Sequence, residues 1–182
     1  MSVYASGERC SLYVRQHDER ELIPYTDAIM RQDTTRFMLT GSYPMRWIDS
    51  KAVWDKERAS GDVLFSIYTP NAGFVGICGL HSMRDIYHSA ELRILIFDSA
   101  SIGKGIGEEA VNLLVGYAFS RLNLHRVWLG VNYDNERAVA CYLKCGFKEE
   151  GRLREDIFYH GKYADVLRMG ILRDEWCIHV EV

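Results

Sequence analysis

The stretch 91–147 constrains this chain more than any other: ELRILIFDSASIGKGIGEEAVNLLVGYAFSRLNLHRVWLGVNYDNERAVACYLKCGF. Residues 91–97 are almost continuously apolar, the pattern of a strand covered on both faces. Glycines follow at alternate positions, Gly103, Gly105 and Gly107. A helical pattern then spans 105–122, with Ala110, Leu113, Leu114, Tyr117 and Ala118 on one side. Residues 125–131 read as a second buried strand, and 135–144 as a short helix. A strand, a helix and another strand in succession belong on one sheet with the helix packed against it.

The flanking sequence extends that sheet. Residues 8–14 read as a first strand, with Cys10, Leu12 and Val14 alternating against polar neighbours. A helix opens at His17-Asp18-Glu19-Arg20, where acidic residues suit the helix dipole, and carries Leu22, Ile23, Tyr25, Ile29 and Met30 as its apolar face. Gly41-Ser42-Tyr43-Pro44 is punctuation, a second helix runs over about 48–59, and Ser60-Gly61-Asp62 ends it. Residues 62–68 and 74–81 read as a hairpin across Thr69-Pro70-Asn71-Ala72-Gly73, and 147–159 with 162–171 as another about His160-Gly161. The order is β-α-α-β-β-β-α-β-α-β-β, an α/β (α+β) chain with a mixed sheet. No repeat, linker or low-complexity segment divides it, and 182 residues suit one domain over 1–182.

Composition narrows the function classes. A net charge of −3 offers no basic patch for nucleic acid, and it is mildly compatible with a cationic substrate. No uncharged apolar run approaches the ~18–20 residues that span a bilayer. Neither a basic segment nor an apolar one follows Met1, so a cytoplasmic protein is expected. The five cysteines, Cys10, Cys78, Cys141, Cys145 and Cys177, contain no CxxC pair and read as reduced thiols. Cys141 and Cys145 share a helix but lack two further ligands, and His81, His88, His125 and His160 fall on different elements, so no metal is expected.

Ile102-Gly103-Lys104-Gly105-Ile106-Gly107 lies between strand and helix. Glycine lets the backbone turn tightly and approach a ligand, and the open N–H groups of a helix start favour an anion. The loop does not match GxxxxGK[ST], because Gly-Ile-Gly follows its lysine; nor does it follow a first strand, as a dinucleotide loop would. On the last helix Asn135, Ala138 and Tyr142 are spaced i, i+3, i+7 and share a face suited to a groove, beside a core stripe of Val139 and Leu143. Taken alone, the loop also reads as a glycine-rich helix entry, and Tyr142 as a partly buried phenol.

Together these segments resemble the GCN5-related N-acetyltransferase (GNAT) superfamily, in particular its bacterial branch of ribosomal-protein N-terminal, polyamine and amino-sugar acetyltransferases. The residues carrying the resemblance are Gly103-Lys104-Gly105-Ile106-Gly107 after ELRILI, then Asn135-Glu136-Arg137-Ala138-Val139 and Tyr142-Leu143-Lys144-Cys145-Gly146-Phe147. It extends over about 90–172. The resemblance implies a mostly antiparallel central sheet flanked by helices, acetyl-CoA as donor and a primary amine as acceptor. It also implies an acetyl-CoA-binding and catalytic half over 89–172 and an acceptor-side half over 1–88. The backbone of Ile94, Leu95 and Ile96 would pair with the pantetheine arm. Ile102, Gly103, Lys104, Gly105, Ile106, Gly107 and Glu108 would hold the pyrophosphate, Asn135 would contact the cofactor, and Tyr142 would be the general acid. Ile102 departs from the family's usual Gln or Arg, leaving that work to backbone N–H groups and Lys104.

Acetyl transfer to an amine requires a neutral nucleophile, so a base must deprotonate the ammonium. Glu91, on the opposite strand parity from Leu92, Ile94 and Ile96, is the candidate, directly or through water; a structural ion pair with Arg93 is its other reading. Trp47, Trp54, Tyr43 and Phe37 in the N-terminal half serve as core, or line the acceptor site. An amino sugar, a protein N-terminus and a polyamine remain open as acceptors; for the last, Asp18, Glu19, Glu21, Asp27 and Asp33 offer carboxylates. The alternative is a non-catalytic sensor of CoA or a nucleotide. Apolar residues of the last hairpin and of the tail 176–182 could form a homodimer contact or pack on their own sheet.

Overall fold

The computed structural model describes residues 3–31, 46–159 and 161–176, with all their side chains except those of Trp47, Asp85 and Tyr159. In chain order the elements are β1 (Val3–Ser6), β2 (Ser11–Val14), α1 (Glu19–Ile29), α2 (Trp47–Ala59), β3 (Val63–Thr69) and β4 (Gly73–Arg84). β5 (Ser89–Ile96), α3 (Ile106–Ser120), β6 (Arg126–Asn132), α4 (Glu136–Lys144), β7 (Lys148–Tyr159) and β8 (Lys162–Leu172) follow. The strands form one eight-stranded sheet in the order β1-β2-β3-β4-β5-β6-β8-β7. Every neighbouring pair is antiparallel except β5 and β6, which α3 connects in parallel.

In place of a single strand over 8–14, β1 and β2 form a hairpin whose turn is closed by Gly7 N–H donating to Cys10 C=O at 2.9 Å. A side chain from far along the sequence holds the turn: the Glu109 carboxylate accepts the N–H groups of Glu8, Arg9 and Cys10 at 2.9, 2.8 and 2.6 Å. Cys10 and Leu12 are buried as expected, whereas Val14 is 51% exposed.

The apolar face of α1 is also rotated. Asp18 caps it by accepting the Arg20 N–H at 3.0 Å. Leu22, Thr26 and Ile29 are buried, Tyr25 is half-buried, and Ile23 and Met30 face out. The Thr26 and Ser50 hydroxyls lie 2.7 Å apart, which sets the 22/26/29 stripe against α2. The punctuation at Gly41–Pro44, Phe37 and Asp33 lie outside the described residues.

α3 supplies the centre of the core. Ala110, Leu114, Val115 and Ala118 are fully covered and cluster with Leu80, Ala90 and Leu92 of the sheet. Burial of each leucine contributes about 1.5–3 kcal/mol, which anchors both the helix and the strand before it. Trp176 packs on α3, 5.7 Å from Phe119 by ring centroids. The rest of the tail lies outside the described residues. Among the described residues no helix is long and apolar enough to cross a membrane, and no three His, Cys, Asp or Glu residues converge as metal ligands.

Candidate active site

The site begins where the sheet splits. β5 and β6 pair only through Ser89↔Arg126, Ala90↔Val127 and Glu91↔Trp128. Beyond Glu91, β5 stays with β4 as far as Gly76↔Ile96, while β6 stays with β8 as far as Asn132↔Val166. Residues 92–96 therefore present an open strand edge towards the gap. Backbone N–H and C=O groups in such a place require a partner, and an extended ligand carrying amides satisfies them as an added strand would. A cleft of about 620 Å³ follows the fork, with Ile94, Leu95 and Ile96 on one wall and Gly130 and Val131 on the other.

At the outer end of β5 the glycine loop lines the cleft through Ile102, Gly103, Gly105, Gly107 and Glu108. Gly103 and Gly105 have φ of 79° and 78°, the left-handed region in which a Cβ is strained. That conformation turns the chain into α3, whose first bond at this end is Glu109 N–H to Gly105 C=O at 3.0 Å. The N–H groups of Ile106, Gly107 and Glu108 are those a helix start leaves open, and they carry the positive end of its dipole. No side chain caps this end. The groups that this helix start offers to an anion are therefore backbone N–H groups, which do not depend on the side chain at Ile102. Two residues contribute differently from the expectation: Lys104 is exposed and absent from the cleft lining, and the Ile106 side chain is buried in the core, leaving only its backbone for a ligand.

α4 forms the facing wall. Asn135 caps it, its side-chain oxygen accepting the Ala138 N–H at 3.3 Å, and Asn135, Ala138 and Tyr142 all line the cleft. The Cys145 thiol donates to the Glu108 carbonyl at 3.7 Å, fixing this helix beside the first turn of α3. Tyr142 rests against Phe147, with ring centroids 5.9 Å apart. Its hydroxyl has no hydrogen-bond partner among the described residues. Burial, with smaller contributions from Cys141 and Cys145, raises its phenol well above the ordinary value, so it holds its proton at neutral pH. The core stripe proposed for this helix is half correct. Val139 packs on the core, but Leu143 is 49% exposed, because α4 gives one side to the cleft and buries no residue fully.

The apex of the fork holds the charges. Glu91 is ion-paired with Arg93 at 2.7 Å, so the pairing offered as its other reading is formed. Its partner across the β4–β5 ladder is His81, 4% exposed, whose Nδ1 lies 2.8 Å from Asp62 Oδ2 and 3.9 Å from Glu57 Oε1. Arg15, 5% exposed, lies 3.4 Å from both Glu57 and the Cys78 carbonyl and 4.6 Å from the Trp54 ring centre. Glu91, Arg93, His81, Glu57, Arg15 and Trp54 all line the cleft. Trp54 is thus both core and cleft wall, whereas the Trp47 side chain and Tyr43 are outside the description.

His81, Arg15 and Glu57 were missed by the sequence reading. The available signal was polarity out of place: a histidine ending the apolar run FVGICGLH, and an arginine directly after the strand that contains Leu12. Of the helix-borne carboxylates considered for a polyamine, Asp18 pairs with Arg20, and Glu21 is buried against the Gln16 N–H at 2.8 Å and the Tyr68 hydroxyl at 3.2 Å.

Comparison with known proteins accords with this geometry. Spermidine N(1)-acetyltransferase of Vibrio cholerae is 38% identical over 112 residues, 62% of this chain and 64% of that protein. The Escherichia coli K12 enzyme of the same name is 34% identical over 101 residues, 56% of this chain and 54% of that protein. The chain thus spans less than two thirds of the length of either curated relative in these matches. The crystal structure of the Vibrio cholerae spermidine N-acetyltransferase in complex with CoA and spermine superposes with a TM-score of 0.84 at 27% identity, covering 93% of this chain and 99% of that one. The family profile described as an acetyltransferase (GNAT) domain matches residues 11–148, well over half of the sequence. The chain belongs to the GNAT acetyltransferase family.

Proposed function

We propose that this protein is an acetyl-CoA-dependent N-acetyltransferase that acetylates a primary amine of a polyamine by direct transfer, with Tyr142 as general acid. The observation that carries the reading is the fork. An open strand edge at residues 92–96, Gly103, Gly105 and Gly107 at the start of α3, and the protonated phenol of Tyr142 all line one cleft. These residues fit the ligand chemically: the unpaired edge suits the amides of a pantetheine arm, and the open N–H groups at the start of α3 suit a pyrophosphate. Bound there, acetyl-CoA supplies the activated acetyl group and a thiolate leaving group.

The chain's own residues do the rest. Ile94, Leu95 and Ile96 align the donor; Ile102, Gly103, Gly105, Gly107 and Glu108 anchor its far end; and Asn135 lines the same cleft. Tyr142 holds the proton that the departing thiolate needs. Glu91 places negative charge at the apex, where it draws a cationic amine towards the donor and receives its proton directly or through water. We assign residues 89–172 to donor binding and residues 1–88 to acceptor choice, a division supported by Tyr25, Trp54 and Glu57 at the apex end of the cleft.

The polyamine class is supported by the relatives named for spermidine and by the neighbour holding CoA and spermine. The test is release of free thiol from acetyl-CoA in the presence of spermidine, spermine, an amino sugar or a peptide with a free N-terminus. Release with the polyamines above the other amines is expected. Release only with the sugar or the peptide overturns the acceptor class; binding of acetyl-CoA by thermal shift with no release for any amine overturns catalysis in favour of a sensor.

A further inference from the structure

We propose that His81, held by Asp62, is the base that finally takes the proton from the acceptor amine, with Glu91 as the charge that brings the ammonium to it. The inference rests on the acetyl-transfer reading above and adds a residue to its mechanism.

The fold places His81 where the reaction needs it. Glu91 is the last β5 residue paired to β6, and His81 is its cross-strand partner on β4, so both side chains share one face at the apex of the fork. The strand from there to Ile96 rises about 3.3 Å per residue, or roughly 17 Å in all. A donor whose phosphates sit at the glycine loop therefore directs its other end towards this apex.

The environment of the ring suits a base. Asp62 at 2.8 Å accepts the Nδ1 proton, which leaves the lone pair on Nε2. Nε2 has no hydrogen-bond partner among the described residues. It lies over Gly79, where an added Cβ would come within 3.0 Å of it. The charged groups around the ring are Glu57 from α2, Asp62 from the turn before β3, and Glu91 and Arg93 from β5, with Arg15 behind Glu57. Burial lowers the proton affinity of His81 below the ordinary histidine value, Arg93 lowers it further, and Glu57 and Asp62 oppose both. The ring is thus neutral at pH 7, while two carboxylates stand ready to stabilise the imidazolium once it forms. Glu91 already shares an oxygen with Arg93 at 2.7 Å, whereas Nε2 of His81 is free to accept.

The protons balance. The ammonium gives one proton to Nε2, directly or by way of Glu91, and its nitrogen lone pair then forms the C–N bond to the acetyl carbon as the C–S bond breaks. The thiolate takes the Tyr142 proton, the phenolate recovers the surplus proton of the acylated nitrogen through water, and His81 releases its proton to solvent.

The experiment is steady-state kinetics of wild type, His81→Gln and Asp62→Asn with the best amine from the panel, between pH 5.5 and 9.5, alongside acetyl-CoA binding. For His81→Gln, kcat is expected to fall about 10²-fold at pH 7 with the KM for acetyl-CoA nearly unchanged. Its log rate should then rise in proportion to pH towards the amine pKa, whereas the wild-type profile levels off near neutrality. Should His81→Gln fail to fold, Asp62→Asn carries the same test: a kcat loss of about tenfold with a displaced acidic limb supports the assignment. Wild-type turnover and an unchanged pH profile in whichever variant folds overturn the assignment of His81 alone. Absence of thiol release from wild type with every amine overturns the acetyl-transfer reading itself, and this assignment with it.

Discussion

Replacing Glu109 with alanine tests how the N-terminal hairpin is held to the helix that bears the anion cradle. The carboxylate is 14% exposed and accepts three backbone N–H groups, from Glu8, Arg9 and Cys10. Glu8 and Arg9 are exposed, so water replaces the carboxylate there and each lost bond costs about 0.5–1 kcal/mol. The Cys10 N–H belongs to a residue 1% exposed; losing its charged acceptor costs about 2 kcal/mol. The sum is about 3–4 kcal/mol. With a urea dependence of about 2 kcal/mol per M, the unfolding midpoint of Glu109→Ala should drop by nearly 2 M. These bonds also carry a pH signature. Burial pushes the Glu109 carboxyl up, but the three N–H groups and the Cys10 thiol outweigh it, and its pKa lies below the ordinary 4.5. A depressed carboxylate stabilises the fold above its unfolded pKa, and that contribution is lost as pH falls. The gap between wild type and Glu109→Ala should therefore be full at pH 7 and narrow below about pH 4.5. A midpoint shift under 0.5 M at pH 7, or a gap that does not change with pH, would refute the reasoning.

Three further outcomes are expected. Tyr142→Phe should retain acetyl-CoA binding and lose about 10²-fold or more in turnover, since only the transferable proton is removed; unchanged steady-state turnover removes Tyr142 from the mechanism. Gly105→Ala should cost about 1–2 kcal/mol in thermal unfolding and weaken acetyl-CoA binding in a titration, because an L-residue is strained at φ of 78° and its Cβ would meet the Arg9 side chain at 3.3 Å. Burial holds His17 and His81 below the ordinary 6.5, so their neutral forms contribute stability that is complete above pH 6.5 and lost as pH falls through the folded values. Tm should therefore decline between pH 7 and 5, and His81→Gln should decline less steeply.

What the sequence determined by itself was local. The apolar run 91–97, the alternate glycines and the helical spacing over 105–122 each depend on residues within one turn or one strand of each other, so period and turn chemistry sufficed to read them. The same holds for Asn135, Ala138 and Tyr142 on one helix face, and all three line the cleft. Tertiary structure decided everything that depends on which distant segments meet. Only the sheet could show that β5 and β6 pair over three residues and then part, because strand register is a property of two segments together. Register also put His81 opposite Glu91, two residues that no local pattern connects. Likewise, the turn at Glu8–Cys10 exists because Glu109, a hundred positions away, satisfies its N–H groups, and residues 8–10 alone contain no sign of it. Backbone polar groups must find partners somewhere, and the partner's place in sequence is set by packing rather than by proximity along the chain.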